Sequence, residues 1–332
     1  MTSQATMRAA VLDAYGTPFR LSDVARPAPA PGEVLVRIAA SGVNPLDTKI
    51  HAGVADHARP SLSAIFGIDM AGTVEALGVG VTRFRAGDEV FGMMGGVGGH
   101  QGSLAEYAAV DADLLAHKPT HLTMREASVV PLVFITAWEG LVDRMAVRAG
   151  QAVLVLGGAG GVGRMAIQIA RAHKAEVSAT GSPADQAAIR KIGAQFIDRS
   201  EPVAAFVARL TGGRGFDLAF DTVGGAVLDD AFAAVRRFGL VASALGWGKH
   251  ALAPLSLRAG SYSGVFTLLP LLTGEGRAHH GEILAEAARL IEAGQLMPSL
   301  DPRRFTLETV GEAHRAIMDG TARGKLAIEL RS

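Results

Sequence analysis

The sequence predicts an α/β protein in two parts, a β-rich first domain followed by a doubly wound parallel sheet. Three observations predict it. Short strand-like runs dominate up to Pro119, strand and helix patterns alternate from Ala152 to Leu245, and a glycine-rich turn sits at the first junction of that alternation. At 332 residues the chain is long enough for two domains. With 49% hydrophobic and 19% charged residues it reads as a globular, enzyme-like chain rather than a disordered one. The formal net charge of zero offers no surface for nucleic acid or for an anionic membrane. Cysteine is absent, which excludes disulfides, thiolate nucleophiles and cysteine-ligated metal. The N-terminal stretch MTSQATMRAAVLDAYG lacks a signal-peptide core, and no apolar run is long enough to span a bilayer. A cytoplasmic location is therefore expected.

In chain order, Met7–Asp13 and Glu33–Ala40 read as strands, the second from the alternation of Val34, Val36 and Ile38 after a Pro31-Gly32 turn. Between them, the RPAPAP stretch from Arg26 to Pro31 is too proline-rich for a helix or a central strand. Gly67–Gly78, Asp88–Gly92 and Ser103–Val110 add short β segments, and Gly95–Gly102 (GGVGGHQG) reads as a flexible loop. From Thr123 the texture changes: Met124–Val130 and Thr136–Val147 look helical. Strands at Ala152–Leu156, Glu176–Thr180, Gln195–Asp198, Phe216–Asp221 and Leu240–Leu245 then alternate with helices at Pro183–Ile192, Pro202–Leu210 and Ala226–Arg236. That is the βαβ rhythm of a parallel sheet. Beyond Leu245 it is lost; Gly281–Ala293 and Leu307–Asp319 read as helices and Lys325–Leu330 as a closing strand.

The stretch AVLVLGGAGGVGRMAIQIARA, Ala152 to Ala172, organises the second part. An apolar strand leads into Gly158, Gly160 and Gly163 at G-x-G-x-x-G spacing. Val162, Met165, Ala166, Ile169 and Ala170 then repeat on one helical face. One glycine makes the turn, one lets backbone approach a pyrophosphate, and one lets helix pack on strand. Amides of Gly161, Val162 and Gly163 at the helix start can hold the anion. An NAD site places an acid at the end of the second strand, and Ala179-Thr180-Gly181-Ser182 has none. Thr180, Gly181 and Ser182 are thus expected to meet a 2′-phosphate, and the Arg199 guanidinium either to pair with that phosphate or to stack on adenine; NADPH is favoured over NADH. Asp185 cuts the other way, and Ser182 before Pro183 is also an ordinary helix cap.

Several stretches together carry a family resemblance: Gly42–Lys49 (GVNPLDTK), Gly67–Val74 (GIDMAGTV), Gly87–Gly92 (GDEVFG), Thr136-Ala137-Trp138, the AGGVG turn and Arg323-Gly324-Lys325. They span nearly the whole chain, which resembles the zinc-independent quinone oxidoreductase branch of the medium-chain dehydrogenase/reductase superfamily. The resemblance implies a GroES-like catalytic domain over 1–122 with a C-terminal return over 266–332, a Rossmann domain over 123–265, and cofactor in the cleft between them. Zinc alcohol dehydrogenases of that superfamily hold a catalytic metal on Cys, His and Cys. The matching positions here are Asn44, Ile68 and Leu132, so no metal is expected.

Without metal or thiol, hydride must go to a ready acceptor, a quinone or the activated C=C of an α,β-unsaturated carbonyl, with donors for the developing enolate. The resemblance makes Asn44 and Lys49 the candidate donors, with Asp47 beside them. The structural alternative is a loop lysine paired with Asp47 and an Asn-Pro turn. Thr136 is implied near the nicotinamide, or as a helix N-cap, and Lys325 is grouped with the cofactor-binding residues. Tyr262 and Phe266 could line the cleft or the core. The pairs His117/His121 and His279/His280 read as polar surface. A trans-2-enoyl thioester reductase and a non-catalytic NADPH-binding protein are the rival readings. Relatives dimerise along the edge of the nucleotide-binding sheet, so a homodimer is expected with the apolar run Val265–Leu272 at that edge.

Overall fold

The structure, a computed structural model, describes residues 5–330. Residues 1–4 and 331–332, counted with the first domain in the sequence, lie outside the described residues. The chain divides into two units, Met1–Leu132 with Leu268–Ser332, and Val133–Thr267. The first boundary falls later than the expected 122 because the helix after it, Met124–Ser128, packs on the first unit's strands.

In the first unit, strands β1 (Thr6–Leu12) and β2 (Arg20–Ala25) pair antiparallel, with β4 (Ala64–Ile65) on the other side of β1. Strand β2 has no signal in the sequence because its pleat is solvent-facing, and apolar–polar alternation marks only half-buried strands. The main sheet centres on β3 (Glu33–Val43), flanked by β5 (Asp69–Leu77), with β6 (Glu89–Met93) and β8 (Leu115–His117) beyond it. β7 (Tyr107–Asp111) also pairs with β3. Val34, Val36 and Ile38 are fully buried, as their alternation predicts. Helix α2 (Met124–Ser128) lies on β3 and β5. Its Ser128 carbonyl approaches so closely that a Cβ on Gly42 would sit 2.2 Å from it. The Gly95–Gly102 loop is not free: Gly96, Gly98 and Gly102 amides bond the carbonyls of His100, Ala58 and Ile65 at 2.8–3.1 Å.

Directly after β3 the chain forms α1 (Pro45–His51), where the sequence suggests a turn. The signals for it are present: Asn44 at the N-cap, proline at the first helical position and an acid at the third. Seven residues are too few for a legible periodicity.

The second unit contains α3 (Pro131–Trp138), which crosses its start, continuing into a π-helical turn over Glu139–Arg144. Its six strands are β9 (Ala152–Leu156), β10 (Glu176–Gly181), β11 (Gln195–Asp198), β12 (Phe216–Asp221), β13 (Val235–Ser243) and β14 (Ser261–Gly264). They are joined by helices α4 (Gly161–Ala172), α5 (Gln186–Lys191), α6 (Val203–Thr211), α7 (Ala226–Ala234) and α8 (Ala253–Ser256). All pairs are parallel in the order β11-β10-β9-β12-β13-β14, so the order reverses between β9 and β12. Ligands of such sheets bind beyond the strand ends at that reversal.

Two expectations are corrected here. The βαβ rhythm does not stop at Leu245, since β14 adds a sixth strand; SYSG is too short and polar to announce itself. The apolar run Val265–Leu272 is not the sheet edge. Val265, Leu268 and Leu271 are buried, and the polar β14 that precedes them is one of the sheet's two outer strands, with β11 the other. The chain then runs through α9 (Leu269–Thr273), α10 (Arg277–Glu292), β15 (Phe305–Thr306) and α11 (Val310–Met318) to β16 (Leu326–Glu329). Strand β16 pairs antiparallel with β3 and sets Leu326 opposite Val43, which brings Lys325 to the start of α1.

Candidate active site

The glycine-rich turn follows β9, the strand at the reversal. Its glycines divide the work differently from the motif's usual assignment. The left-handed turn is made by Gly157 (φ +87°), whose amide is held by the Thr180 hydroxyl at 3.0 Å. A Cβ on Gly158 would meet the Ala179 side chain at 2.6 Å, and one on Gly163 would lie 2.2 Å from the Gly157 carbonyl. Both keep α4 against β9 and β10. Gly160 is different. Its φ of −69° suits any residue, and the nearest atom to an added Cβ is 3.5 Å away. Packing does not require glycine there, and its lack of a side chain leaves the backbone open for a ligand to lie on. Amides of Gly161, Val162 and Gly163 in the first turn of α4 have no intrahelical carbonyl to bond and carry the positive end of a twelve-residue helix. This part of the site fits a dinucleotide pyrophosphate.

At the end of β10, Thr180 is buried and its hydroxyl already accepts the Gly157 amide, so it props the turn. Ser182 donates its hydroxyl (2.6 Å) and its amide (2.9 Å) to Asp185 as a cap. The Arg199 amide bonds the Gly181 carbonyl at 2.9 Å, which sets its exposed side chain beside the β10 and β11 ends. Thr136 is not an N-cap: α3 begins five residues earlier because Pro131 takes the first-turn position, where a missing N–H costs nothing. Its hydroxyl lies 3.1 Å from that of Thr267, which donates to Glu139 at 2.7 Å. The Tyr262 ring stands edge-on to Phe232 and Phe266 to Trp247.

In the first unit, Asn44, Asp47, Asp69 and Lys325 form one cluster. Asn44 is fully buried with its amide engaged at both ends. Nδ2 donates to Asp69 Oδ2 at 2.9 Å, and Oδ1 accepts from the Lys325 ammonium. These bonds and its place before Pro45 at the start of α1 support the structural reading of Asn44 beside that of an enolate donor. Lys325 also donates to the Val43 carbonyl at 2.7 Å. It serves the Asn44 segment, rather than standing as an open cation for cofactor phosphate. Asp69 accepts from the Leu132 amide at 3.0 Å through its other oxygen. Asp47 accepts the Asn44 amide at 2.7 Å and is 5% exposed; its Oδ1 has no hydrogen-bond partner among the described residues. Burial pushes Asp47 up to about 7 and Asp69 up to about 6. Burial also pulls the Lys325 ammonium down, against the two carboxylates beside it.

Asp47 is thus committed to this cluster, not to Lys49, whose side chain is exposed at the other face of α1. Lys49 is the one proposed donor left open to a ligand. Asp69 lies within the Gly67–Val74 stretch and is not among the residues expected to carry chemistry. The available signal was an acid set between Ile68 and Met70 in an apolar run, where a charge needs a buried partner. Ile68 is fully buried and apolar, the Leu132 amide is spent on Asp69, and no group of three metal-binding side chains occurs among the described residues. His280 is buried in α10, contrary to its reading as surface, while its neighbour His279 faces Glu282 at 3.1 Å. No helix among the described residues is long and apolar enough to cross a membrane.

Known proteins match both parts. Residues 30–120 match the alcohol dehydrogenase GroES-like domain and residues 192–328 the zinc-binding dehydrogenase domain. The chain is 30% identical to human (Homo sapiens) quinone oxidoreductase, over 99% of each protein. It is 32% identical to 2-methylene-furan-3-one reductase of Solanum lycopersicum, over 92% of this chain and 74% of that one. A spectinabilin polyketide synthase system protein of Streptomyces orinoci is 33% identical over 91% of this chain, which spans only 13% of that protein's length. Among solved structures, an alcohol dehydrogenase superfamily protein from Novosphingobium aromaticivorans superimposes with a TM-score of 0.97 at 56% identity, over 98% of this chain and 100% of that one.

Proposed function

Because the chain belongs to the medium-chain dehydrogenase/reductase superfamily, among its quinone oxidoreductases, we propose that it is a zinc-free, NADPH-dependent reductase of quinones or of the C=C bond of α,β-unsaturated carbonyls. The observation that carries this reading is the glycine-rich turn at the strand-order reversal of a parallel sheet, where Gly160 leaves the backbone open to a ligand. When bound, the reduced nicotinamide supplies hydride. The residues Gly157–Gly163 and the α4 amides hold its pyrophosphate, and Thr136 stands near the ring. Lys49, exposed on α1, offers an ammonium to the oxygen on which negative charge develops. Freedom from zinc is supported by the absence of cysteine and by the commitments of Asn44 and of the apolar Ile68 and Leu132. The free edge of β14 supports pairing of two copies as a homodimer.

A screen of NADPH oxidation over quinones, enones, alkenals and enoyl-CoA thioesters, with and without a chelator, tests this. Turnover of a quinone or enone that the chelator leaves unchanged is expected. Failure to bind either nicotinamide nucleotide, or loss of turnover reversed by zinc, would overturn the reading. A preference for the thioester would select the enoyl reductase alternative.

NADPH preference rests on Arg199 and on the lack of an acid ending β10. The Asp185 charge already receives two hydrogen bonds from Ser182, which lessens its repulsion of a phosphate. Arg199→Ala is expected to raise KM for NADPH about tenfold or more with little change for NADH, the loss of one charge-assisted pair. An unchanged ratio would exclude Arg199 as the phosphate clamp.

A further inference from the structure

The strands of the second unit are parallel, so the amino ends of β12, β13 and β14 lie at the opposite end of the sheet from the glycine-rich turn, which follows the carboxyl end of β9. A cavity of about 290 Å³ opens there, lined by the second unit alone. Its apolar lining is Val207 of α6, Ala233 of α7, Val235 at the start of β13 and Leu257 just after α8. Its charged lining is three arginines, Arg214, Arg237 and Arg258, and no carboxylate. A concavity lined by one sign of charge focuses the field and draws a counter-ion.

The nearby acids are engaged elsewhere. Asp217 accepts from Arg236 at 2.5 Å and from the Ala152 amide at 2.8 Å, and Glu201 pairs with Arg209 at 2.6 Å. None of the three lining arginines has an ion pair among the described residues. Arg258 is half-buried and fixed in place, its terminal nitrogens donating to the Pro254 carbonyl at 2.7 Å and the Ala233 carbonyl at 2.8 Å. Two of its five N–H groups are spent on them and three remain. Arg214 and Arg237 are exposed, and Arg214 makes only a 3.4 Å contact with the Thr211 carbonyl. The chain turns directly after each arginine: Gly215 (φ +88°), Phe238 (φ +59°) and Ala259 (φ +47°) all hold the left-handed conformation, which phenylalanine and alanine rarely adopt. The Phe238 amide donates to the Arg258 carbonyl at 2.8 Å, which ties the Arg237 and Arg258 segments together.

We propose that this cavity binds a small phosphomonoester with an apolar body, at a site separate from the dinucleotide turn. A phosphate dianion balances more of the arginine charge than a carboxylate does, and its three terminal oxygens accept from several planar guanidinium forks at once. Val207, Ala233, Val235 and Leu257 offer the surface on which the apolar body rests. The volume is at the small end for ligand pockets and suits a single ring carrying one phosphate rather than a stretch of polypeptide. No nicotinamide chemistry enters into this site, so it stands whether or not the chain reduces quinones or enones.

Calorimetric titration of the full chain with phenyl phosphate, inorganic phosphate and benzyl alcohol tests this. Phenyl phosphate is expected to bind with a Kd of about 0.1–1 mM, inorganic phosphate about tenfold more weakly for want of the ring, and benzyl alcohol not measurably. Arg214→Ala and Arg237→Ala should each weaken phenyl phosphate about tenfold, the loss of one charge-assisted contact, and the double variant about a hundredfold. Both side chains are exposed, so the denaturation midpoint of each variant should match the wild type. Gly160→Val, which covers the start of α4, should leave this affinity unchanged, because the cavity lies at the other end of the sheet. No binding of phenyl phosphate up to about 10 mM, or wild-type affinity in the double arginine variant, would overturn the proposal. Binding lost in Gly160→Val and kept in the double variant would overturn it as well, by assigning the anion to the dinucleotide turn.

Discussion

Gly160→Val is expected to lose NADPH binding while keeping its fold, and Gly163→Ala to lose stability first. The two glycines are three residues apart in one motif, yet their surroundings differ. Gly160 is the N-cap of α4 with extended backbone, and an added Cβ meets nothing closer than the Gly157 carbonyl at 3.5 Å. Valine there costs about 1 kcal/mol as a poor N-cap. It also covers the amides on which a pyrophosphate would rest, and a loss of about a hundredfold in affinity is expected, roughly 2.7 kcal/mol. At Gly163 a methyl group would lie 2.2 Å from the Gly157 carbonyl and 2.9 Å from the Gly158 Cα. Backbone must move on both sides, at a cost of about 3 kcal/mol or more. Calorimetric titration with NADPH beside denaturant unfolding separates the two. Wild-type affinity in Gly160→Val would remove the pyrophosphate cradle from this turn.

Asp69→Ala should be the most destabilising change in the first unit, by about 3–5 kcal/mol, the range for breaking one side of a buried ionic network. It strands the Leu132 amide, one end of the Asn44 amide and much of the counter-charge of Lys325. The denaturation midpoint should fall accordingly, and a loss under about 1 kcal/mol would show the network to be dispensable. Lys49→Ala on the neighbouring helix gives the contrast. Its side chain is exposed, so stability should change by about 0.5 kcal/mol or less and any effect should appear in turnover.

The candidate site divides the same way between what residues announce and what they hide. The pyrophosphate cradle is local: strand, glycines and amphipathic helix lie within Ala152–Ala172, so both the element types and their order are readable. Even there, the division of labour among the glycines needed the positions of Ala179 and Thr180 on the next strand. Asn44 shows the opposite case. As a residue it suits an enolate donor, and only its surroundings show both ends of the amide spent.

The parallel nucleotide-binding sheet, the place of its glycine turn and the lack of thiol chemistry are all legible along the chain, because periodicity and residue type act within one element. The charge cluster comes from packing instead: Lys325 meets Asn44 across 281 residues because β16 registers Leu326 against Val43. Register is set by the packing of whole strands, and a buried charge takes its partner from whatever that packing brings near. No spacing along the chain encodes that choice.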